Sequence, residues 1–281
     1  MVGMRSPRPS ALRLVVSIFL PVAFVAGGAF AVTAPAATAP AATAAVRQVA
    51  SEPVADTRLE PVATAPAPTA PAPEPAPNPA DPRVIVTPRA GAGLAVYASA
   101  GAATPSHLLP ASNELGSPLV LLGVQQYGGW IQVLVPTRPN DDTGWVRAQD
   151  VGTSVPVYRV EVSLAAHELK VVRMSDDAVV YTAVAGIGRA DTPTPTGQFF
   201  VRDHFPTGSW SHPYGPFAFG LSGHSEVLYQ FGTGDGRIAI HGTNQPSTVG
   251  GDLSNGCVRV ANDVVMALID YLALGTPVVI S

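Results

Sequence analysis

Beyond residue 82, apolar and polar positions alternate with a period close to two, the pattern of strands with one face buried. RVIVTP (83–88), LAVYAS (94–99), PLVLLGVQQ (118–126), WIQVLVP (130–136) and GWVRAQDV (144–151) form a first set of short strand-like runs. Turn residues separate them, at Arg89-Ala90-Gly91, Gly128-Gly129 and Pro139-Asn140-Asp141-Asp142. Trp130 and Trp145 each follow a turn glycine, which predicts that both pack into the core of this set. A second set follows: YRVEVSL (158–164), HELKVVRM (167–174) and AVVYTAVAGIG (178–188), with turns at Ala165-Ala166 and Ser175-Asp176-Asp177. A rigid Thr-Pro turn (191–197) then feeds QFFV (198–201). Later, IAI (238–240) and VRV (258–260) bracket a loop rich in Gly, Asn, Ser and Pro, and PVVIS (277–281) ends the chain. The period changes once, after that loop. Val264, Val265, Leu268, Ile269 and Leu272 line one face of a helix predicted over 263–274, with Asn262 as N-cap and Gly275 as stop. The fold class this predicts is mainly β with one C-terminal helix.

The first 82 residues follow neither period. Arg5, Arg8 and Arg13 precede an apolar run over 14–32, and Ala29-Phe30-Ala31 fits a small-x-small cleavage site. The run approaches the ~20 residues that span a bilayer, so residues 1–32 read equally well as a cleaved signal peptide or as a signal anchor. The basic flank places whatever follows outside the cytoplasm. Residues 33–82 hold seventeen alanines and twelve prolines among fifty positions and no aromatic residue. Such a segment cannot repay its ordering entropy, and it reads as a disordered linker or tether. Four regions result: 1–32 targeting segment, 33–82 linker, 83–153 small β domain and 157–281 second β-rich domain.

Composition narrows the chemistry. The 281 residues carry a net charge of −4 and a pI near 5.8. No basic field points to nucleic acid, and contact with a membrane is expected only through the N-terminal segment. One cysteine is present, Cys257. In an exported chain it has no intramolecular disulfide partner, which leaves an intermolecular bridge, an inert buried thiol or a reactive one.

His241 lies sixteen positions before Cys257, and the two stand at the ends of the strand-like runs that bracket the Gly-rich loop. A loop that folds those runs side by side presents an imidazole to a thiol. This is the arrangement in which a base activates a sulfur nucleophile. Backbone N–H groups at Gly256 and Cys257 are the candidate oxyanion donors. Asp252 is the acidic residue nearest in sequence that could orient the histidine. His204, His212 and His224 join His241 and Cys257 as a conceivable metal set, but no pair has the close spacing of zinc motifs. No metal or cofactor is called for.

HGTNQP and SNGCVRV, preceded by TPTPTGQFFV and by YGPFAFGLSG (214–223), closely resemble the catalytic domain of the YkuD-type L,D-transpeptidases over residues 157–281. Members commonly carry Ser-His-Gly-Cys where this chain has Ser254-Asn255-Gly256-Cys257, so a second histidine beside the cysteine is missing. The runs over 83–153 similarly resemble the bacterial SH3-like barrels that accompany cell-wall enzymes, with a positioning or wall-binding role. The resemblance implies a cysteine-dependent acyltransferase with Cys257 as nucleophile, His241 as base and acid, and the Gly242 carbonyl orienting the imidazole. Its partners would be peptidoglycan stem peptides: a donor tetrapeptide, cut between the diamino acid and the terminal D-Ala, and an acceptor diamino acid amine. The product would be a 3→3 cross-link, and carbapenem β-lactams would act as inhibitors. Substrate-side candidates are Arg259, Ser254, Asn255, Asn244, His224 and Tyr214. Arg259 suits a substrate carboxylate as well as loop carbonyls, and Ser254 and Asn244 suit loop structure as well as substrate. An L,D-carboxypeptidase, with water as acceptor, and a non-catalytic wall-binding protein are the alternatives.

Overall fold

Residues 83–89, 93–232 and 234–281 are described by the computed structural model. The targeting segment and the linker read from the sequence lie outside the described residues. Among the described residues, no helix is long and apolar enough to cross a membrane.

The first set of alternating runs gives β1 (Val84–Pro88), β2 (Leu94–Val96), β3 (His107–Leu109), β4 (Leu121–Tyr127), β5 (Trp130–Leu134), β6 (Thr143–Arg147) and β7 (Val151–Ser154). Five of them form an antiparallel sheet in the order β6-β5-β4-β1-β7, and β2 and β3 pair beside it. Trp145 is buried. Trp130 is not: it lies half-exposed on the surface, edge-on to Tyr97 at 5.1 Å and 5.5 Å from the Arg147 guanidinium. An indole flanked in this way keeps its rim in water.

The second set gives β8 (Tyr158–Ser163), β9 (Glu168–Arg173), β10 (Val179–Val184), β11 (Ile187–Gly188), β12 (Gly197–Pro206), β13 (Phe217–His224), β14 (Arg237–His241), β15 (Asp252–Ser254), β16 (Val258–Arg259) and β17 (Pro277–Ile280), with α1 (Asn262–Ala267) between the last two. Eight strands build one sheet in the order β10-β9-β8-β17-β12-β13-β14-β16. The alternation explains the register. Val160 faces Val171 and Val162 faces Leu169 across β8 and β9, and all four side chains enter the same core.

The strand β12 bends. Its first residues pair with β17 and its last with β13, with the register shifting between Val201 and Asp203. Its alternation also serves two cores: Phe199 enters that of the large sheet, whereas Phe200 enters that of the N-terminal sheet. Leu274 packs against both cores, and Gly275 is so close to Ile85 that a Cβ there would lie 2.6 Å from its Cγ2.

The helix is shorter than the apolar spacing predicts. α1 ends at Ala267 and passes into a 3₁₀ turn, Leu268–Asp270. Val265, Leu268 and Leu272 are fully buried, but Ile269 is 38% exposed, because the tighter turn rotates it out of the apolar face. Ala261 takes the N-cap position, and the Asn262 side chain leaves the helix for the turn at Thr243.

Candidate active site

β14 and β16 run parallel, with Ile240 opposite Val258 and His241 opposite Arg259. Because side chains alternate across a sheet, Ile240 and Val258 go into the core. His241, Arg259 and the preceding Cys257 therefore share the opposite face. One cavity there is lined by His241, Cys257, Arg259, Tyr214, Ser254 and Asn255. A larger groove of about 320 Å³ also reaches Cys257 and Tyr214, and runs on past Phe231, Asp235 and Arg237 to Glu114 and Leu115.

Cys257 is held by its own loop. Gly256 has φ +105°, a conformation that favours glycine, and this lets the chain turn sharply into β16. Ser254, buried below the turn, donates to the Cys257 carbonyl at 2.6 Å and accepts from the Gly256 N–H at 3.1 Å. The Gly256 amide is thus committed to Ser254. The Thr-Pro turn braces the same loop from outside: Thr192 donates to the Ser254 carbonyl at 3.1 Å, and Arg189 bonds the Asn255 side-chain oxygen. Sequence reading treats 191–197 as a turn and nothing more, yet Thr192 and Thr194 are buried. Hydroxyls in a Pro-fixed turn beside a reactive loop are the signal that could have found this brace.

His241 is buried, and its Nδ1 lies 2.5 Å from the Gly242 carbonyl. A carbonyl only accepts, so Nδ1 carries the proton and Nε2 keeps the basic lone pair. Burial pushes the imidazole pKa down to about 4, opposed by the Gly242 bond and reinforced by the charges of Arg259 and His212. Burial also pushes the Cys257 thiol up, against a hydrogen bond from the Ala239 backbone and the charge of Arg259. Both shifts favour the uncharged forms, a thiol at Cys257 and a neutral imidazole at His241 on the same cavity. Asp252 does not orient His241; its Oδ1 lies 2.5 Å from His167 Nε2.

Arg259 makes no ion pair among the described residues, and its Nε is buried without a partner. Tyr214 packs its ring 4.7 Å from that of His241, and burial, then the neighbouring Cys257, raise its phenol pKa. Two residues read as substrate-side candidates line neither cavity. Asn244 is exposed and donates to the Ser211 carbonyl at 3.2 Å. His224 lies buried at the end of β13, with Nε2 3.1 Å from Asp235 and its backbone bonded twice to Asn140. His204 turns to the Leu272 carbonyl at 2.8 Å, away from the cavity.

Residues 157–280 match a family model described as the L,D-transpeptidase catalytic domain, YkuD. A Bacillus licheniformis protein named for L,D-transpeptidase activity, YkuD, is 32% identical over 149 residues, 53% of this chain and 73% of its own length. A Bacillus subtilis protein of like name, YqjB, is 34% identical over 133 residues, 43% of this chain and 70% of its own. The solved L,D-transpeptidase from Mycobacterium smegmatis is 15% identical, over 58% of this chain and 90% of that one, with a TM-score of 0.36.

Proposed function

The chain belongs to the YkuD-type L,D-transpeptidase family, and from that premise we propose that it cross-links peptidoglycan stem peptides through a thioester on Cys257. The observation that supports this reading is that Cys257, His241 and the unpaired Arg259 line one cavity, with His241 Nδ1 already taken by the Gly242 carbonyl. His241 Nε2 takes the thiol proton as the sulfur attacks the donor carbonyl, so charge separates only when substrate is present. With the Gly256 amide committed to Ser254, the oxyanion is left to the Cys257 amide. The tetrahedral adduct collapses, the carbon–nitrogen bond breaks, and the departing D-Ala amine leaves with the proton from His241. The side-chain amine of a second stem then attacks the thioester, returns a proton through His241 and frees the thiol, giving a 3→3 link. Arg259 provides a planar, unneutralised cation for a substrate carboxylate.

The enzyme works outside the cytoplasm, at the cell wall, delivered or held there by residues 1–32 and spaced by 33–82. The N-terminal sheet serves as an SH3-like positioning module. Intact-mass spectrometry after exposure to a carbapenem tests the nucleophile. One adduct is expected on the wild type, none on Cys257→Ser, and a much slower one on His241→Ala. An unmodified wild type supports the wall-binding alternative instead. A disaccharide-tetrapeptide incubated with enzyme separates transfer, which yields dimers, from hydrolysis, which yields the tripeptide alone.

A further inference from the structure

The wall of the Cys257 cavity that carries Leu228, Phe231 and Gly236 hangs on residues from the other sheet. Arg138, in the turn between β5 and β6, donates to three carbonyls of this wall: Ser225, Leu228 at 3.0 Å and Asp235 at 2.9 Å. Its guanidinium also lies 4.6 Å from the Tyr229 ring centroid. These carbonyls belong to both arms of the excursion between β13 and β14, so one planar donor fork ties the arms together. The neck between the arms is closed tightly. Gly236 has φ +78°, and a Cβ there would meet the Leu228 carbonyl oxygen at 1.8 Å and Arg138 Nη2 at 2.9 Å. Asn140 secures the root by accepting the His224 N–H and donating to its carbonyl, both at 2.8 Å. Glu114 and Leu115 of the same N-terminal region also line the groove, and Glu114 is ion-paired with Arg237, next to Gly236.

We propose that Arg138 is a positioning residue: it holds this wall at the width that admits the stem peptide, making the N-terminal sheet a structural part of the substrate groove. The substrate named here rests on the function proposed above; the holding of the wall does not. Nothing in the role requires Arg138 to touch substrate or sulfur. Its side chain acts through the backbone of 225–228 and 235.

Amide hydrogen exchange on the full chain decides the matter, comparing wild type with Arg138→Ala and with Arg138→Lys, which keeps the charge but loses the fork. Exchange of 226–232 and 234–237 is expected to rise about tenfold or more in Arg138→Ala and less in Arg138→Lys, while β8 and β9 keep wild-type rates. In a Cys257→Ser background, Arg138→Ala should weaken binding of a disaccharide-tetrapeptide by about tenfold. Wild-type exchange in both variants overturns the proposal, and so does faster exchange with unchanged peptide affinity. Should Cys257→Ser alone bind no tetrapeptide, the proposed function fails and the exchange result by itself supports or overturns the holding role.

Discussion

Asn262 opens α1, yet its side chain turns away from the helix and accepts the Thr243 N–H at 2.7 Å, while its amide nitrogen donates to the Trp210 carbonyl at 3.1 Å. It thereby fixes the turn that follows His241, including the Gly242 carbonyl that sets the tautomer of the imidazole. Asn262→Ala removes both bonds. A loss of about 1–2 kcal/mol in stability is expected from the unpartnered amide, seen as a fall of ~3–6 °C in Tm. A larger fall in carbapenem acylation rate should accompany it. An acylation rate equal to wild type would detach this brace from the chemistry.

The burial of His241 makes stability depend on pH. Its folded pKa is depressed to about 4, below the ~6.5 of an unfolded histidine. Below pH 6.5 the unfolded chain takes up a proton that the folded one refuses, so stability falls until the native imidazole protonates near pH 4. The loss from this residue approaches about 3 kcal/mol over that window. Denaturant melts at intervals from pH 7.5 to 4.5 should show a steeper decline in wild type than in His241→Gln. Parallel curves would mean that the imidazole is not held neutral.

Burial holds the Cys257 thiol above its ordinary range, and Arg259 works against that shift. Alkylation of Cys257 by iodoacetamide should therefore rise steadily with pH, without a low-pH plateau. Arg259→Met should displace the curve further toward high pH. A shoulder between about pH 5 and 6 would reveal a preformed thiolate–imidazolium pair and contradict the neutral resting state.

Ser254 is almost fully buried and satisfies two backbone groups beside the sulfur. Ser254→Ala leaves the Gly256 N–H and the Cys257 carbonyl without it, at a cost of about 1–3 kcal/mol. Because the turn aims the sulfur, kcat/KM should fall about tenfold, ~1.4 kcal/mol of transition-state stabilisation. Stability loss with wild-type kinetics would confine Ser254 to folding.

The sequence announces strands such as β8 and β9, where Val160, Val162, Leu169 and Val171 alternate onto one face. It hides β13, whose Gly220, Ser222 and Gly223 dilute the alternation, and β3 and β15, three residues each, whose HLL and DLS contain too little pattern to stand out from a loop. The helix is overextended by its spacing because Ile269 fits the apolar stripe in sequence, while the 3₁₀ turn carries it to the surface. That Cys257 and His241 line one cavity was readable from the flanking apolar runs, since two short strands at the ends of one loop have few ways to meet. Tertiary obligations were not readable. His224 sits in a Gly- and Ser-rich stretch like a groove residue, but β13 delivers it to Asn140 and Asp235. No pattern marks Arg138, which stands just before the Pro139-Asn140-Asp141-Asp142 turn, and only the packing of two sheets brings it to the cavity wall.

The neighbours Phe199 and Phe200, pointing to opposite sides of one strand, set a limit on how this protein can be dissected. A fragment begun at residue 157 to isolate the family domain would carry Phe200, Leu274 and the face around Gly275 bare into water. Such a piece should be sticky and poorly soluble, whereas the chain from residue 83 onward should melt as one cooperative body. Recombining this family domain with a foreign partner would first require repainting that greasy seam.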